Sequence, residues 1–385
     1  MAKSENKYRI FLSAAEPSGD KHCAELMKTL KSKTGDIEFV GVGGELMKQQ
    51  GCELLEETAS KAAMGYNVLG QLGRFIKLIS KIRKYLKNNK TDLVVVCDSP
   101  AFNFHIAKAA KDRNIKTCFY VAPQLWAWGS WRVGKLRRLC DKLLCILPFE
   151  QEWFSKKGIN AEFVGNPMLE GFGGKIEKNA KDYKNYQPRN AKIALLPGSR
   201  AAEIENLWEP IQRVAVKLRK RFPKADFTTL AADEPTKEVL RSLPVLGFRS
   251  KYVVGSVEQT VSEADLAIVA SGSVTLQLAG AGCPIVVVYE SNKFLWRLLG
   301  KWIIRTKYLS LVNILAGKEL VPEFMPYIKS EQKLLEKCTK ILQDREYLAA
   351  TSKKLTELVS PLAKTKASHR TAEIIMQMLD SKADS

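Results

Sequence analysis

The sequence predicts an α/β protein made of two doubly wound domains, each a parallel sheet covered on both faces. Three observations predict it. Runs such as Leu93–Cys97 and Ile285–Tyr289 are apolar throughout rather than alternating, as strands buried on both faces require. Stretches of helical periodicity stand between these runs, so successive strands are joined by crossovers. The alternation also runs twice, broken from Gly165 to Lys192 by a Gly-, Asn- and Lys-rich stretch without long apolar runs. A chain of 385 residues suits two or three domains at roughly 150 residues each. Its core needs no disulfide or metal staple.

Taken in order, strands are expected at Tyr8–Ser13, Glu38–Gly41, Leu93–Cys97, Thr117–Val121, Lys142–Leu147 and Glu162–Val164. Helical spacing of apolar residues predicts helices over Ser18–Leu30, Leu69–Lys87, Phe102–Lys111 and Phe149–Lys157. The second series reads as strands Ile193–Leu196, Asp226–Leu230, Leu266–Ala270 and Ile285–Tyr289. Its helices are Ala201–Arg221, Thr236–Ser242, Val257–Glu263 and Ser273–Ala281. From Glu331 onward the chain reads as helices alone. The expected division is residues 1–165, a linker over 166–191, a second domain over 192–330, and C-terminal helices over 331–385 that fold back on the first domain or pair with a second subunit. Ligands are expected in a cleft at the carboxyl ends of the strands.

Lys and Arg number 61 against 41 Asp and Glu, a formal charge of +20, which asks for a polyanionic partner. No zinc-finger spacing, RNP-type aromatic motif or basic low-complexity tail points to nucleic acid. Two basic amphipathic stretches favour an anionic lipid surface. In the first, Leu69, Leu72, Phe75 and Ile76 share a helix with Arg74, Lys77, Lys81 and Lys84. In the second, Trp296 and Trp302 alternate with Arg297 and Lys301. The alternative for each is an ordinary helix with its apolar stripe in the core. No apolar run approaches the ~20 residues of a membrane span. The polar Met1–Tyr8 and the short apolar run after it do not read as a secretory signal. Eight scattered cysteines without a C-x-x-C pair, and three distant histidines, predict a reduced cytoplasmic protein with no disulfide framework and no metal site.

Four strand-end turns carry the candidate chemistry. Glu16-Pro17-Ser18-Gly19-Asp20 follows the first strand and opens a helix with Ser18 as N-cap; it is either an anion-binding turn or a plain capped one. Asp98-Ser99-Pro100-Ala101-Phe102-Asn103 puts a carboxylate at the end of a buried strand. There it serves either as a general base or as the cap of the next helix. Gly198-Ser199-Arg200 offers close backbone approach, a hydroxyl and a guanidinium that grips phosphate. Glu203 caps this turn or orients Arg200. Ser271-Gly272-Ser273 opens another helix, and Gln277 one turn on can reach a sugar hydroxyl. The last two turns place a nucleotide on the second domain.

In order along the chain, these pieces resemble the lipid-A-disaccharide synthase family, inverting glycosyltransferases with the two-Rossmann-domain (GT-B) architecture. The resemblance runs from about Ile10 to Pro326. It is carried by Glu16-x-Ser18-Gly19-Asp20, Gly41-Val-Gly43-Gly44, Met64-Gly65, Asp98-x-Pro100-x-Phe102-Asn103 and Pro123-x-x-Trp126-Ala127-Trp128. It continues through Leu147-Pro148-Phe149-Glu150, Phe163-Val164-Gly165-Asn166-Pro167, Leu196-Pro197-Gly198-Ser199-Arg200-x-x-Glu203, Ser271-Gly272-Ser273 and Asn313-x-Leu315-Ala316-Gly317-x-Glu319-Leu320-Val321. The resemblance implies transfer of 2,3-diacylglucosamine from its UDP derivative to 2,3-diacylglucosamine 1-phosphate. The products are a β-1,6-linked disaccharide 1-phosphate and UDP, in the lipid A pathway of a Gram-negative bacterium. It makes the first domain the acceptor side and the second the UDP-sugar side. It further implies Asp98 and Glu16 as catalytic residues, with Asp98 the base. Ser18, Gly19, Asp20, Asn103, Gly198, Ser199 and Glu203 would bind substrate, Arg200 and Ser271–Ser273 would meet the leaving UDP, and Gln277 and Asn313 would line the same cleft. No cofactor is implied, and the absence of a D-x-D motif fits a diphosphate held by helix ends and side chains. The implied location is the inner face of the cytoplasmic membrane.

The chain departs from the family pattern at Ala15, Ala101, Gln124, Gln277 and Val312, where Gly, Asp, Ser, Glu and Pro are usual. Ala101 removes a second carboxylate three residues from Asp98, and Gln277 keeps hydrogen bonding without charge. These departures leave room for a related GT-B enzyme using another UDP-sugar and lipid acceptor, or for a non-catalytic binding relative.

Overall fold

The computed structural model describes residues 8–34, 37–58, 68–173, 175–290 and 306–383. They form two compact units, residues 1–167 with 365–385, and residues 168–364.

Unit 1 is a seven-stranded sheet in the order β3-β2-β1-β4-β5-β6-β7. The strands are β1 (Tyr8–Ala14), β2 (Ile37–Gly43), β3 (Glu53–Glu57), β4 (Leu93–Cys97), β5 (Lys116–Tyr120), β6 (Lys142–Cys145) and β7 (Ala161–Phe163). Every pairing is parallel. The helices are α1 (Pro17–Lys33), α2 (Glu45–Gln49), α3 (Val68–Asn88), α4 (Pro100–Lys111), α5 (Val133–Leu139) and α6 (Pro148–Ser155). The central strand β4 is buried from end to end, which its unbroken Leu-Val-Val-Val-Cys run requires. The last helix of the chain, Ala367–Ala383, belongs to this unit. Its Ile374, Ile375 and Leu379 share a core with Leu26, Met27 and Leu30 of α1. Ion pairs tie it down further, with Arg370 Nε 2.9 Å from Glu162 Oε1.

Unit 2 is a six-stranded parallel sheet in the order β10-β9-β8-β11-β12-β13. Its strands are β8 (Lys192–Leu196), β9 (Asp226–Ala231), β10 (Lys251–Val254), β11 (Leu266–Ala270), β12 (Ile285–Val288) and β13 (Glu323–Phe324). Helix α7 (Ala201–Arg221) packs Leu207, Trp208, Ile211 and Leu218 on the sheet. The Trp208 indole N–H donates to the Leu240 carbonyl at 2.9 Å. Helices α8 (Glu234–Ser242), α9 (Val257–Ser262), α10 (Val274–Gly280) and α11 (Leu311–Ala316) follow.

Three strands in the structure have no counterpart among those expected: β3, β10 and β13. All are short, and each lies at a sheet edge, where exposure on one side removes the need for an apolar run. Residues 168–191 are part of unit 2, where a short 3₁₀ turn carries Ile176, and the irregular chain after it carries Tyr183, into buried positions. Helices α12 (Glu331–Gln343) and α13 (Arg345–Ala363) also belong to unit 2, so only the final helix returns to unit 1. No described helix is long and apolar enough to cross a membrane.

Candidate active site

Each sheet has one place where the strand order reverses direction, and such switch points open a crevice at the carboxyl edge of a doubly wound sheet. In unit 1 it falls between β1 and β4, whose parallel register sets Ala14 beside Cys97. Glu16 and Asp98 leave these two strand ends, so the fold puts them side by side.

The Asp98 turn is strained. Asp98 has φ 53° and Ser99 has φ 41°, two consecutive left-handed residues, neither of them glycine. L-residues visit this region at a cost of about 1–2 kcal/mol, so the surroundings must enforce it. They do so through hydrogen bonds. The Asp98 N–H donates to Tyr120 O at 3.1 Å. The Asn103 amide donates to Cys97 O at 2.9 Å and to Asp98 O at 2.6 Å, and its own oxygen accepts from Ser13 Oγ at 2.7 Å. The Ser99 hydroxyl donates to Glu16 Oε1 at 3.0 Å, which ties the first turn to the second. Asp98 does not cap α4: the N-cap is Ser99, without a side-chain capping bond. Asn103 is fully buried, so its place is behind the turn, holding it, rather than on a substrate.

The first motif divides in the same way. The N-cap of α1 is Glu16, whose side chain makes no capping bond to the helix, and Ser18 lies inside the helix; the expected Ser18 cap is corrected. Gly19 lets the helix start approach the sheet, since a Cβ there would lie 3.3 Å from Ala14 Cβ and 3.6 Å from Cys97 O. Asp20 is corrected more sharply. Its buried carboxylate accepts the backbone N–H groups of Gly44 (2.8 Å), Met47 (3.1 Å) and Leu46 (3.1 Å), so it caps α2 rather than meeting substrate. Gly41, just before, is fixed by close approach to β1, where a Cβ would lie 2.0 Å from Leu12 O.

In unit 2 the order reverses between β8 and β11, where Leu196 pairs with Val269. The Gly198–Arg200 and Ser271–Ser273 turns therefore emerge as neighbours. Gly198 has φ 110°, which favours glycine, and a Cβ there would lie 2.3 Å from Glu203 Oε2. That carboxylate accepts the Ser199 N–H at 3.1 Å and the Arg200 N–H at 3.4 Å, while its other oxygen meets Arg200 Nη1 at 3.4 Å. Glu203 thus braces the turn and leans on Arg200; it is not itself free for a ligand. What the turn offers an anion is the exposed Arg200 guanidinium and the exposed Ser199. Gly272 and Ser273 are exposed, no atom of another described residue beyond its chain neighbours lies within 4 Å of a Cβ placed on Gly272, and Gln277 is half-buried one turn into α10.

Asn313 is corrected as well. It is fully buried, its amide donates to Val321 O (2.8 Å) and Glu323 Oε1 (2.7 Å), and its oxygen accepts from Leu320 and Val321 N–H. These bonds fasten α11 to the strand β13, and leave nothing for a ligand.

Of the expected lipid-facing residues, Ile76 is 60% exposed and Lys77 is exposed, while Phe75 is half-buried, edge-on to Phe102 and His105. The Lys81 ammonium, still exposed, donates to Leu55 O at 2.5 Å and lies 4.0 Å from Glu56. The side chains of Leu69 and Leu72, and all of Trp296, Arg297, Lys301 and Trp302, lie outside the described residues.

Reading the sequence did not single out Glu150. Its carboxylate is buried and accepts the Trp126 indole N–H at 2.9 Å with the backbone N–H groups of Leu147 (3.0 Å) and Ile146 (3.2 Å). Burial lifts its pKa to about 7 against those three bonds. The bond joins two of the quoted motifs, which is the signal that was there to find.

The whole chain agrees with known proteins. The family model for lipid-A-disaccharide synthetase matches residues 10–378. The lipid-A-disaccharide synthase of Myxococcus xanthus is 30% identical over 377 residues, 97% of this chain and 98% of its own. That of Aliivibrio fischeri is 34% identical over 324 residues, 82% and 84% of the two chains. Among solved structures, the UDP-GlcNAc 2-epimerase of Neisseria meningitidis bound to UDP-GlcNAc superposes with a TM-score of 0.64 at 13% identity, covering 96% of this chain and 99% of that one. MurG of Acinetobacter baumannii superposes at 0.56 and 14%, with the same coverage. These likenesses bear out the GT-B fold. Two switch-point sheets with these turns, matched end to end by family model and relatives alike, make this chain a member of the lipid-A-disaccharide synthase family of glycosyltransferases.

Proposed function

We propose that Asp98 is the general base of the reaction this family carries out, the transfer of 2,3-diacylglucosamine from UDP to 2,3-diacylglucosamine 1-phosphate. The observation that carries the proposal is the strained, bond-enforced turn that fixes Asp98 at the switch point of unit 1. Strain of this kind persists where a side chain must be aimed, and a plain cap needs none of it. In the step, the acceptor 6-hydroxyl gives its proton to the Asp98 carboxylate as its oxygen attacks the anomeric carbon. The bond from that carbon to the diphosphate breaks, its electron pair leaves on UDP, and in-line displacement inverts the configuration. Glu16, linked through Ser99, positions the turn. Arg200 and the Ser271–Ser273 turn of unit 2 counter the charge developing on UDP, with Gln277 toward the ribose.

The substrates carry acyl chains, and the chain carries a charge of +20. The enzyme therefore works on the anionic inner face of the cytoplasmic membrane, with Ile76 and Lys77 of α3 toward lipid. The test is UDP release from UDP-2,3-diacylglucosamine and 2,3-diacylglucosamine 1-phosphate in detergent micelles, with the lipid product identified by mass. Asp98→Ala abolishes turnover and leaves UDP binding intact; turnover within tenfold of wild type overturns the assignment.

A further inference from the structure

We propose that the turn from Trp128 to Arg132, together with the start of α5, is a docking surface for an anionic phospholipid bilayer. The proposal rests on the membrane location argued above, and it assigns that contact to residues outside α3.

Trp131 is 71% exposed and Trp128 is 45% exposed, unusual for the largest apolar side chain. They form one patch, because both rings converge on a single cation: the Arg132 guanidinium carbon lies 4.6 Å from the Trp128 ring centroid and 5.8 Å from that of Trp131. Gly129 makes the arrangement fit, since a Cβ there would lie 2.5 Å from Arg132 Nη2. Wedged this way, Arg132 Nε and Nη2 are buried with no hydrogen-bond partner among the described residues. Among the described residues no carboxylate lies beside it, and a half-buried guanidinium left so takes its counter-charge from outside.

The surroundings narrow the class of partner. No acidic residue occurs from Ala122 to Cys140, while Lys135, Arg137 and Arg138 are exposed on α5. Tryptophan rings with a polar edge beside clustered Lys and Arg match the headgroup region of an anionic bilayer, where indole sits and phosphates supply the charge. The patch also lies on the side of unit 1 that carries α3. Lys135 stacks over Phe104 of α4 at 5.0 Å, and α4 meets α3 through Phe102 and Phe75.

The experiment is co-sedimentation of the full chain with vesicles of phosphatidylglycerol and phosphatidylcholine, or of phosphatidylcholine alone, for wild type and Trp128→Ser/Trp131→Ser. Wild type binds the anionic vesicles, and pure phosphatidylcholine weakens binding by a factor of about five for each cation in contact. The double variant loses at least tenfold on anionic vesicles, while its melting temperature and its turnover in detergent micelles stay at wild-type values. Two results overturn the inference: unchanged vesicle binding, or a raised KM for the acceptor in micelles without loss of vesicle binding, which makes the patch an acceptor phosphate site. Failure of the catalytic reading appears separately, as absent turnover in the wild type. Trp128→Phe/Trp131→Phe, which keeps the apolar rings, recovers most of the vesicle binding and controls for misfolding.

Discussion

Replacing Asp98 by glycine and by alanine separates the carboxylate from the backbone that holds it. Neither variant has the carboxylate, so both lose turnover if Asp98 is the base. They differ only in what the left-handed φ of 53° demands. Alanine bears the full penalty of that conformation, about 1–2 kcal/mol, and glycine bears none. Glycine gives back about 0.5–1 kcal/mol through its freer unfolded chain. The balance leaves Asp98→Gly more stable than Asp98→Ala by about 0.5–1 kcal/mol. For a unit of this size that is a difference of about 1–4 °C in melting temperature. Scanning calorimetry with and without UDP reads the stability, and UDP release reads the chemistry. If the alanine variant melts as high as the glycine variant, the turn is not strained and the inference from strain to catalysis fails. If either variant keeps wild-type turnover, the base lies elsewhere.

Other substitutions test the remaining assignments. Asp20→Ala orphans three backbone donors at the start of α2 and lowers stability by about 2–4 kcal/mol, seen as a lower denaturation midpoint, with turnover per folded molecule kept; lost turnover at an unchanged midpoint would return Asp20 to the substrate. Arg200→Ala weakens UDP binding in calorimetric titration at least tenfold, and Arg200→Lys recovers only part of it because an ammonium cannot make the two-pronged contact. Two buried groups titrate in opposite directions. Glu150 is raised by burial from 4.5 to about 7, so its contribution to stability is complete below pH 4.5 and is lost as pH rises through about 7. His22 is lowered from 6.5 to about 4, by burial first and the Lys21 charge second, so its contribution is complete above pH 6.5 and is lost as pH falls toward 4. Between pH 6.5 and 4.5 the two offset each other in the wild type. Glu150→Gln removes one of them, and its melting temperature drops more steeply on acidification; parallel curves for the two proteins would refute the pairing.

The central strands were legible because burial on both faces writes itself into composition. Leu93–Cys97 and Leu266–Ala270 match to the residue. So does α7, Ala201–Arg221, whose stripe of Leu207, Ile211, Val214 and Leu218 repeats at helical spacing. The edge strands were not legible. Glu53–Glu57 carries three glutamates, and its strand state comes from pairing with β2 rather than from its own preference. In the site, the Glu16, Asp98 and Arg200 turns could be read because strand-end position is visible in sequence. The internal work of Asp20, Asn103 and Asn313 could not. A buried amide or carboxylate that caps a distant backbone and one that meets a ligand are the same letter, and only the partners tell them apart. The two left-handed residues at 98 and 99 leave no compositional mark either, because neither is glycine.

The helix Ala367–Ala383 carries a consequence for how the protein is made. Unit 1 is encoded at both ends of the chain, with the whole of unit 2 between them. On the ribosome the seven strands of its sheet emerge early, yet Ala367, Ala372, Ile374, Ile375 and Leu379 of its core arrive last. Until then the α1 surface of Leu26, Met27 and Leu30 faces water, so unit 2 completes its core before unit 1 can. A premature stop at residue 364 would spare every strand and every candidate catalytic residue, and still yield a chain whose unit 1 remains open, sticky and a target for chaperones and proteases.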